Sequence, residues 1–123
     1  MHGLYWSADG VNYSLVKTNI QSVLPVGDAP VFIGMTETPF GYHMLLADRW
    51  DNRTNSTKRV THLFSKDLKS WKILELNSEM KNKKYYKGAH LYYDAGTNKV
   101  WSFSSCGEAE SCGYLGWFTA QEF

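Results

Sequence analysis

The sequence has no apolar run of about twenty residues, the length a helix needs to cross a bilayer, so no helical membrane span is expected. It also lacks a dominant charge: 13 Lys and Arg face 12 Asp and Glu, a net charge of +1. There is no basic stripe to neutralise a phosphate backbone, so nucleic acid is not an expected partner. No stretch sustains a 3.6-residue apolar period, which excludes long amphipathic helices. The lysine-rich segment 80–84 is too short to hold a helix alone. Cysteine is scarce. Cys106 and Cys112 form a C-x5-C loop beside Gly107 and Gly113, where a disulfide and two free thiols both fit. No histidine lies in that loop, and a metal needs more ligands than two, so no metal or cofactor is expected.

Aromatic residues are abundant: eight Tyr, six Phe and five Trp. With 43% hydrophobic residues, a single packed domain is expected and disorder is not. The organising stretch is His62–Leu74, which reads as strand, tight turn, strand. Ser65 and Asp67 carry side chains that bond backbone amides two or three residues on and so close a turn locally. Trp71 follows, placed to fold its ring back over the hairpin. The same pattern stands at Ser7, Asp9 and Tyr13, with Ser7 lying 58 positions before Ser65 (65 − 7). A degenerate third copy is read at 118–123, with Glu122 in the Asp place. Such a period marks one supersecondary unit each time.

The flanking segments repeat too. Residues 3–17 read as a hairpin around Asp9-Gly10, and 17–27 as a connector. Segments 29–35, 41–47, 58–64 and 70–76 read as four strands, with 36–40 a turn and the polar 49–57 an exposed loop. After a charged connector come 86–93, 99–105 and 113–119. The expectation is an all-β chain of antiparallel four-stranded units, approximately 28–76 and 86–123. Units of this kind and length are propeller blades, with a β-sandwich as the alternative. The chain opens and stops inside repeats, which reads as an internal piece of something longer.

Ser65-Lys66-Asp67-Leu68-Lys69-Ser70-Trp71 resembles the blade turn of the five-bladed β-propeller glycoside hydrolases. These are families 32 and 43, the invertase-like and arabinanase-like enzymes. Gly41-Tyr42-His43-Met44-Leu45 is similar to their second strand. Gly27-Asp28-Ala29-Pro30-Val31-Phe32 and Lys87-Gly88-Ala89-His90-Leu91-Tyr92 resemble segments that open two successive blades. The resemblance covers about two blades of five. It implies a funnel lined by first strands, a carbohydrate partner and a set of three carboxylates working across a glycosidic bond. It places Asp28 at the position of the transition-state stabiliser, and the general acid at position 87. That position holds Lys87, a cation at neutral pH unless buried and a poor proton donor to a glycosidic oxygen. The nucleophile falls in a blade this chain does not contain.

Read without the resemblance, Asp28 starts a strand, Lys87 is a solvated edge residue and His90 is a half-buried structural histidine. As substrate-binding residues, His90 and Lys87 would meet sugar hydroxyls, and Trp50 and Tyr86 would stack on a ring. Asp9 and Asp67 are read as turn formers. The leading expectation is a fragment or degenerate glycoside hydrolase propeller that binds glycans and hydrolyses them weakly or not at all. The alternative is a non-catalytic scaffold of blades. Three N-x-[ST] sequons, at Asn12, Asn52 and Asn55, point to a secreted protein. Two blades alone should leave Val31, Ile33, Leu45, Leu91, Trp101 and Phe103 on uncovered faces, so self-association, or cover from the rest of a longer chain, is expected.

Overall fold

The computed structural model describes residues 4–23, 31–51, 56–74, 90–104 and 113–123. The elements are β1 (Tyr5–Trp6), β2 (Ser14–Leu15), α1 (Ile20–Val23), β3 (Val31–Thr38), β4 (Gly41–Asp51), β5 (Ser56–Ser65), β6 (Lys72–Ile73), β7 (His90–Asp94), β8 (Lys99–Ser104) and β9 (Gly113–Thr119). They form three antiparallel sheets: a hairpin β1-β2, a four-stranded meander β3-β4-β5-β6 and a three-stranded meander β7-β8-β9. The expected strand order is the observed one. The all-β class holds, with α1 a single turn inside the expected connector.

Four local expectations are corrected. The turn expected over 36–40 is confined to 39–40, because β3 runs on to Thr38, which pairs with Gly41. The segment 49–57 is not all loop: β4 runs to Asp51 and β5 starts at Ser56, with Trp50 opposite Thr57 and Asp51 opposite Ser56. Backbone pairing carries this hairpin past the last apolar residue, because a ladder needs only amides and carbonyls. Of the fourth strand expected over 70–76, the described part, 70–74, pairs only at Lys72–Ile73, and 75–76 lie outside the described residues. Residues 120–123 adopt no turn. Ala120 stands where the turn needs a serine hydroxyl, so the local bonds have no acceptor there.

The two remaining turns share most of their bonds, the first adding one from the Gly10 amide to the Ser7 hydroxyl and one from Asn12 Nδ2 to Asp9 Oδ2. The Asp9 Oδ1 atom accepts from the Val11 and Asn12 amides, each at 2.8 Å. The Asp67 Oδ1 atom accepts from the Lys69 and Ser70 amides at the same distance. The Ser7 and Ser65 hydroxyls each donate to their aspartate at 3.0 Å. The aromatic tips donate back across the turn: Tyr13 Oη to Gly10 O at 3.2 Å and Trp71 Nε1 to Leu68 O at 2.9 Å. Gly10 and Leu68, 58 positions apart, both take positive φ, +76° and +67°. The flanking registers match as well: Tyr5 pairs with Leu15 as Leu63 pairs with Ile73. These amide bonds hold both aspartates below the ordinary carboxylate range. Asp67→Ala should therefore lower the melting temperature and Asp67→Asn lower it less, since an amide oxygen still accepts. Equal loss in both would mean that the hydrogen bonds contribute nothing.

Strand alternation sends β4 side chains both ways. Leu45 meets Leu91, Val100, Phe118 and Ala120 of the second meander, with Ile33 and Tyr93 against them. Met44 and Leu46 point to the opposite face, packing with Leu63 and Trp71 under Leu4, Ile20 and Val23. This overturns part of the uncovered-face expectation: Leu45 and Leu91 are buried against one another, and Ile33 is half-buried with them. The two meanders cover each other's faces.

Glycine is demanded at two places. A Cβ on Gly34 of β3 would stand 3.0 Å from His90 Cα and 3.2 Å from Leu91 N, so the leading strands of the two meanders touch backbone to backbone. Gly41 has φ +147°, and a Cβ there would meet Phe64 Cζ at 2.6 Å and the Ser65 carbonyl at 2.7 Å. Gly41→Ala should destabilise by about 2 kcal/mol through strain and overlap. A chemical-denaturation midpoint unchanged from wild type would contradict this close approach.

Candidate functional site

His90, the one expected site residue whose side chain is described, opens β7 and is exposed. Residues opposite one another in an antiparallel ladder share a face. His90 pairs with Phe103, and Tyr92 with Trp101. Trp101 pairs in turn with Trp117 of β9. One face of the second meander thus carries a row Tyr92–Trp101–Trp117 that spans all three strands, with His90 and Phe103 beside it. The opposite face, Val100, Ser102 and Phe118, is buried towards the first meander.

Rings define the geometry of this face. His90 stacks on Phe103 with centroids 5.3 Å apart and planes 13° from parallel. Trp101 and Trp117 tilt at 42°, 6.2 Å apart. The Lys99 Nζ atom lies 3.9 Å from the Trp117 ring centroid and 5.8 Å from that of Trp101, an ammonium against the negative face of each ring. Asp94, opposite Lys99, is tied into its turn by bonds from the Gly96 amide and the Thr97 hydroxyl. Tyr92 keeps 56% of its surface exposed and Trp117 39%. Apolar ring faces, an imidazole and an ammonium therefore meet solvent together. Such a surface can stack on a flat ligand face while donating hydrogen bonds at its edges.

The other expected site residues are not brought to this face by any described contact. Asp28 and Lys87 lie outside the described residues, as do Tyr86, Cys106 and Cys112. Trp50 sits in the strand β4, not in a loop. Among the described residues no three or more His, Cys, Asp or Glu gather as metal ligands, and no helix is long and apolar enough to cross a membrane.

Sequence reasoning missed a second constellation. His43 and His62, on β4 and β5, are buried, at 0% and 7% exposure. His43 pairs with Phe64, and His62 with Leu45, so the two imidazoles are diagonal neighbours on one face. Their rings meet edge to face at 5.4 Å. Phe64, Phe118 and Phe123 wall in His43 at 5.0, 4.8 and 5.5 Å, and Phe118 also touches His62 at 5.1 Å. Among the described residues, none of the four ring nitrogens has a hydrogen-bond partner. Burial pushes the His43 pKa down to about 4. Burial, and then the nearby charge of His43, push that of His62 well below the usual range. The signal in the sequence was a histidine inside each of two apolar strands; only the register shows that they meet.

Compared with family models, curated proteins and solved structures, the chain matches none of them.

Proposed function

We propose that this chain is a glycan-binding piece of a β-propeller, two blades related in design to the glycoside hydrolase propellers, and that it binds sugar without cleaving it. The observation that carries this reading is the row Tyr92–Trp101–Trp117, exposed at Tyr92 and Trp117 and half-buried at Trp101, with His90 beside it. A sugar ring presents a C–H face that packs on the electron-rich face of an aromatic ring, and hydroxyls that meet polar groups at the rim. The blade reading draws on the two meanders in series, the contact of their leading strands at Gly34 and His90, and the matched turns. The lysine at position 87, where a general acid belongs, supports binding over hydrolysis. The sequons at Asn12, Asn52 and Asn55 suit a secreted setting.

A scaffold reading draws on a different observation. The hairpin β1-β2 repeats β5-β6 in register, down to the bond from Val16 N to Leu4 O that answers Leu74 N to His62 O, both 2.8 Å. The chain thus contains part of a third unit, and the aromatic row would then be a packing face for a further blade. Titration calorimetry against arabino-, xylo- and fructo-oligosaccharides separates the two readings. The glycan reading expects binding that Trp117→Ala weakens at least about tenfold, or about 1.4 kcal/mol. No binding by the wild type, or binding indifferent to both Trp117→Ala and Tyr92→Ala, favours the scaffold. Turnover of an aryl arabinofuranoside that Asp28→Asn abolishes would overturn the absence of hydrolysis.

A further inference from the structure

Two neutral imidazoles enclosed by aromatic rings bury N–H groups that have no hydrogen-bond partner among the described residues, a cost that a well-packed apolar pair would avoid. The cage walls are unequal. Phe64 and Phe118 lie in or beside the long ladders and are buried, whereas Phe123 lies in the irregular segment 120–123 and is only partly buried. That segment is held by the Ala120 amide on Asn98 O at 2.9 Å and by Asn98 Nδ2 on Ala120 O at 3.0 Å, by the Phe123 ring on His43, Phe64 and Phe118, and by an ion pair between Glu122 and Lys66. Both members of the pair are more than half exposed, so it contributes little.

We propose that His43 and His62 form an acid-operated latch, in which proton uptake by the pair swings Phe123 off the first meander and opens the cage to water. Among the described side chains, none brings an anion to this cage. Besides each other, the described side chains that meet the pair are Leu45, opposite His62 in the ladder, and the rings of Phe64, Phe118 and Phe123, and none of these side chains carries a charge; Lys72 of β6 stands 5.9 Å from the Phe64 centroid. The titratable groups nearest in sequence or packing are engaged elsewhere: Tyr93 donates its hydroxyl to Asn98, and Glu122 faces Lys66. Lys99 sits on the far face over Trp117. A cation formed here therefore gains by reaching water, and Phe123 is the partly buried wall that lies outside the strands. Its ring also closes one side of a cleft with Phe64, Lys66, Asp67, Trp71 and Lys72, so its departure would join that cleft to His43. The depressed proton affinities of both rings put the event on the acid side of neutrality.

The test is a pH titration from 7.5 to 4 on full-length protein carrying fluorinated phenylalanine, with the Phe123 resonance assigned by Phe123→Leu. Imidazole C–H shifts are recorded alongside. The expected result is that the Phe123 resonance moves to its solvent-exposed position in step with the titration of His43, while the other resonances stay dispersed. In H43F/H62F it should stay put throughout. A Phe123 signal unmoved while the imidazoles titrate would overturn the latch. So would motion that persists in H43F/H62F, or motion seen only as every resonance collapses together. Should that variant fail to fold, wild-type imidazoles that titrate near 6.5 with Phe123 unmoved overturn it as well.

Discussion

Trp71→Ala is expected to cost about 4 kcal/mol of folding stability, the range found when a large buried aromatic is cut back to a methyl group. Trp71 is 2% exposed and packs with Met44, Leu46 and Leu63, so its removal opens a cavity that Leu4, Ile20 and Val23 have to collapse into. Its backbone also organises the connector. The Trp71 amide donates to the Asn19 side-chain oxygen at 2.6 Å, and Asn19 Nδ2 donates to Trp71 O at 3.2 Å. These two bonds reach 52 residues along the chain, and the Asn19 amide adds a third to Lys69 O at 3.1 Å. The substitution keeps the backbone bonds and removes the ring, so the loss measured by urea unfolding reports the ring alone. Trp71→Phe should lose roughly half as much, since it retains most of the packing but drops the donor to Leu68 O. A loss below about 1 kcal/mol for Trp71→Ala would mean that this face of the first meander is not a core.

Acid should destabilise the fold well before its carboxylates protonate. His43 binds a proton near pH 4 when folded and near 6.5 when unfolded, so between those values the unfolded chain holds more protons. The contribution of the neutral ring is fully present above about pH 6.5 and is lost as pH falls towards 4, at about 1.4 kcal/mol per pH unit and about 3 kcal/mol in all. His62 shifts in the same direction and steepens the slope. Asp9 and Asp67 work in another window: their folded values are lowered, so their contribution is present above the ordinary carboxylate pKa and is lost only as pH falls below it. Urea midpoints at pH 7, 5.5 and 4.5 separate the two effects. The wild-type midpoint should fall across this range, and that of His43→Phe/His62→Phe should stay nearly level. A wild-type midpoint that is flat from pH 7 to 4.5 would show that the imidazoles reach water in the folded protein.

What could be read from the residues was what is local. The serine, aspartate and aromatic of each turn act within seven positions, so both turns, and the strands they join, follow from the sequence alone. Leu68 shows the limit of such reading. It holds φ +67° where its counterpart is Gly10, a strain that the packing of its side chain beneath the sheet offsets and no local rule foretells. The extension of β4 to Asp51 was hidden because polar side chains look like loop, while the ladder depends on the backbone. The fates of Leu45 and Leu91 were misjudged for another reason: each was read as lacking a cover, and each is the other's cover. The aromatic row needs the register of three strands before Tyr92, Trp101 and Trp117 share a face. The histidine cage needs that of two strands and the return of the chain at Phe123.

The two meanders lie side by side with their leading strands in contact. In solution, a through-space proton measurement between Gly34 and His90 tests this most directly. A Cβ on Gly34 would lie 3.0 Å from His90 Cα, so the α-protons of these residues should give a strong cross-relaxation signal, joined by one from Gly34 to the Leu91 amide. Both signals absent from a folded, fully assigned spectrum, with β3 instead facing β8 or β9, would contradict this placement of the two meanders and favour a sandwich.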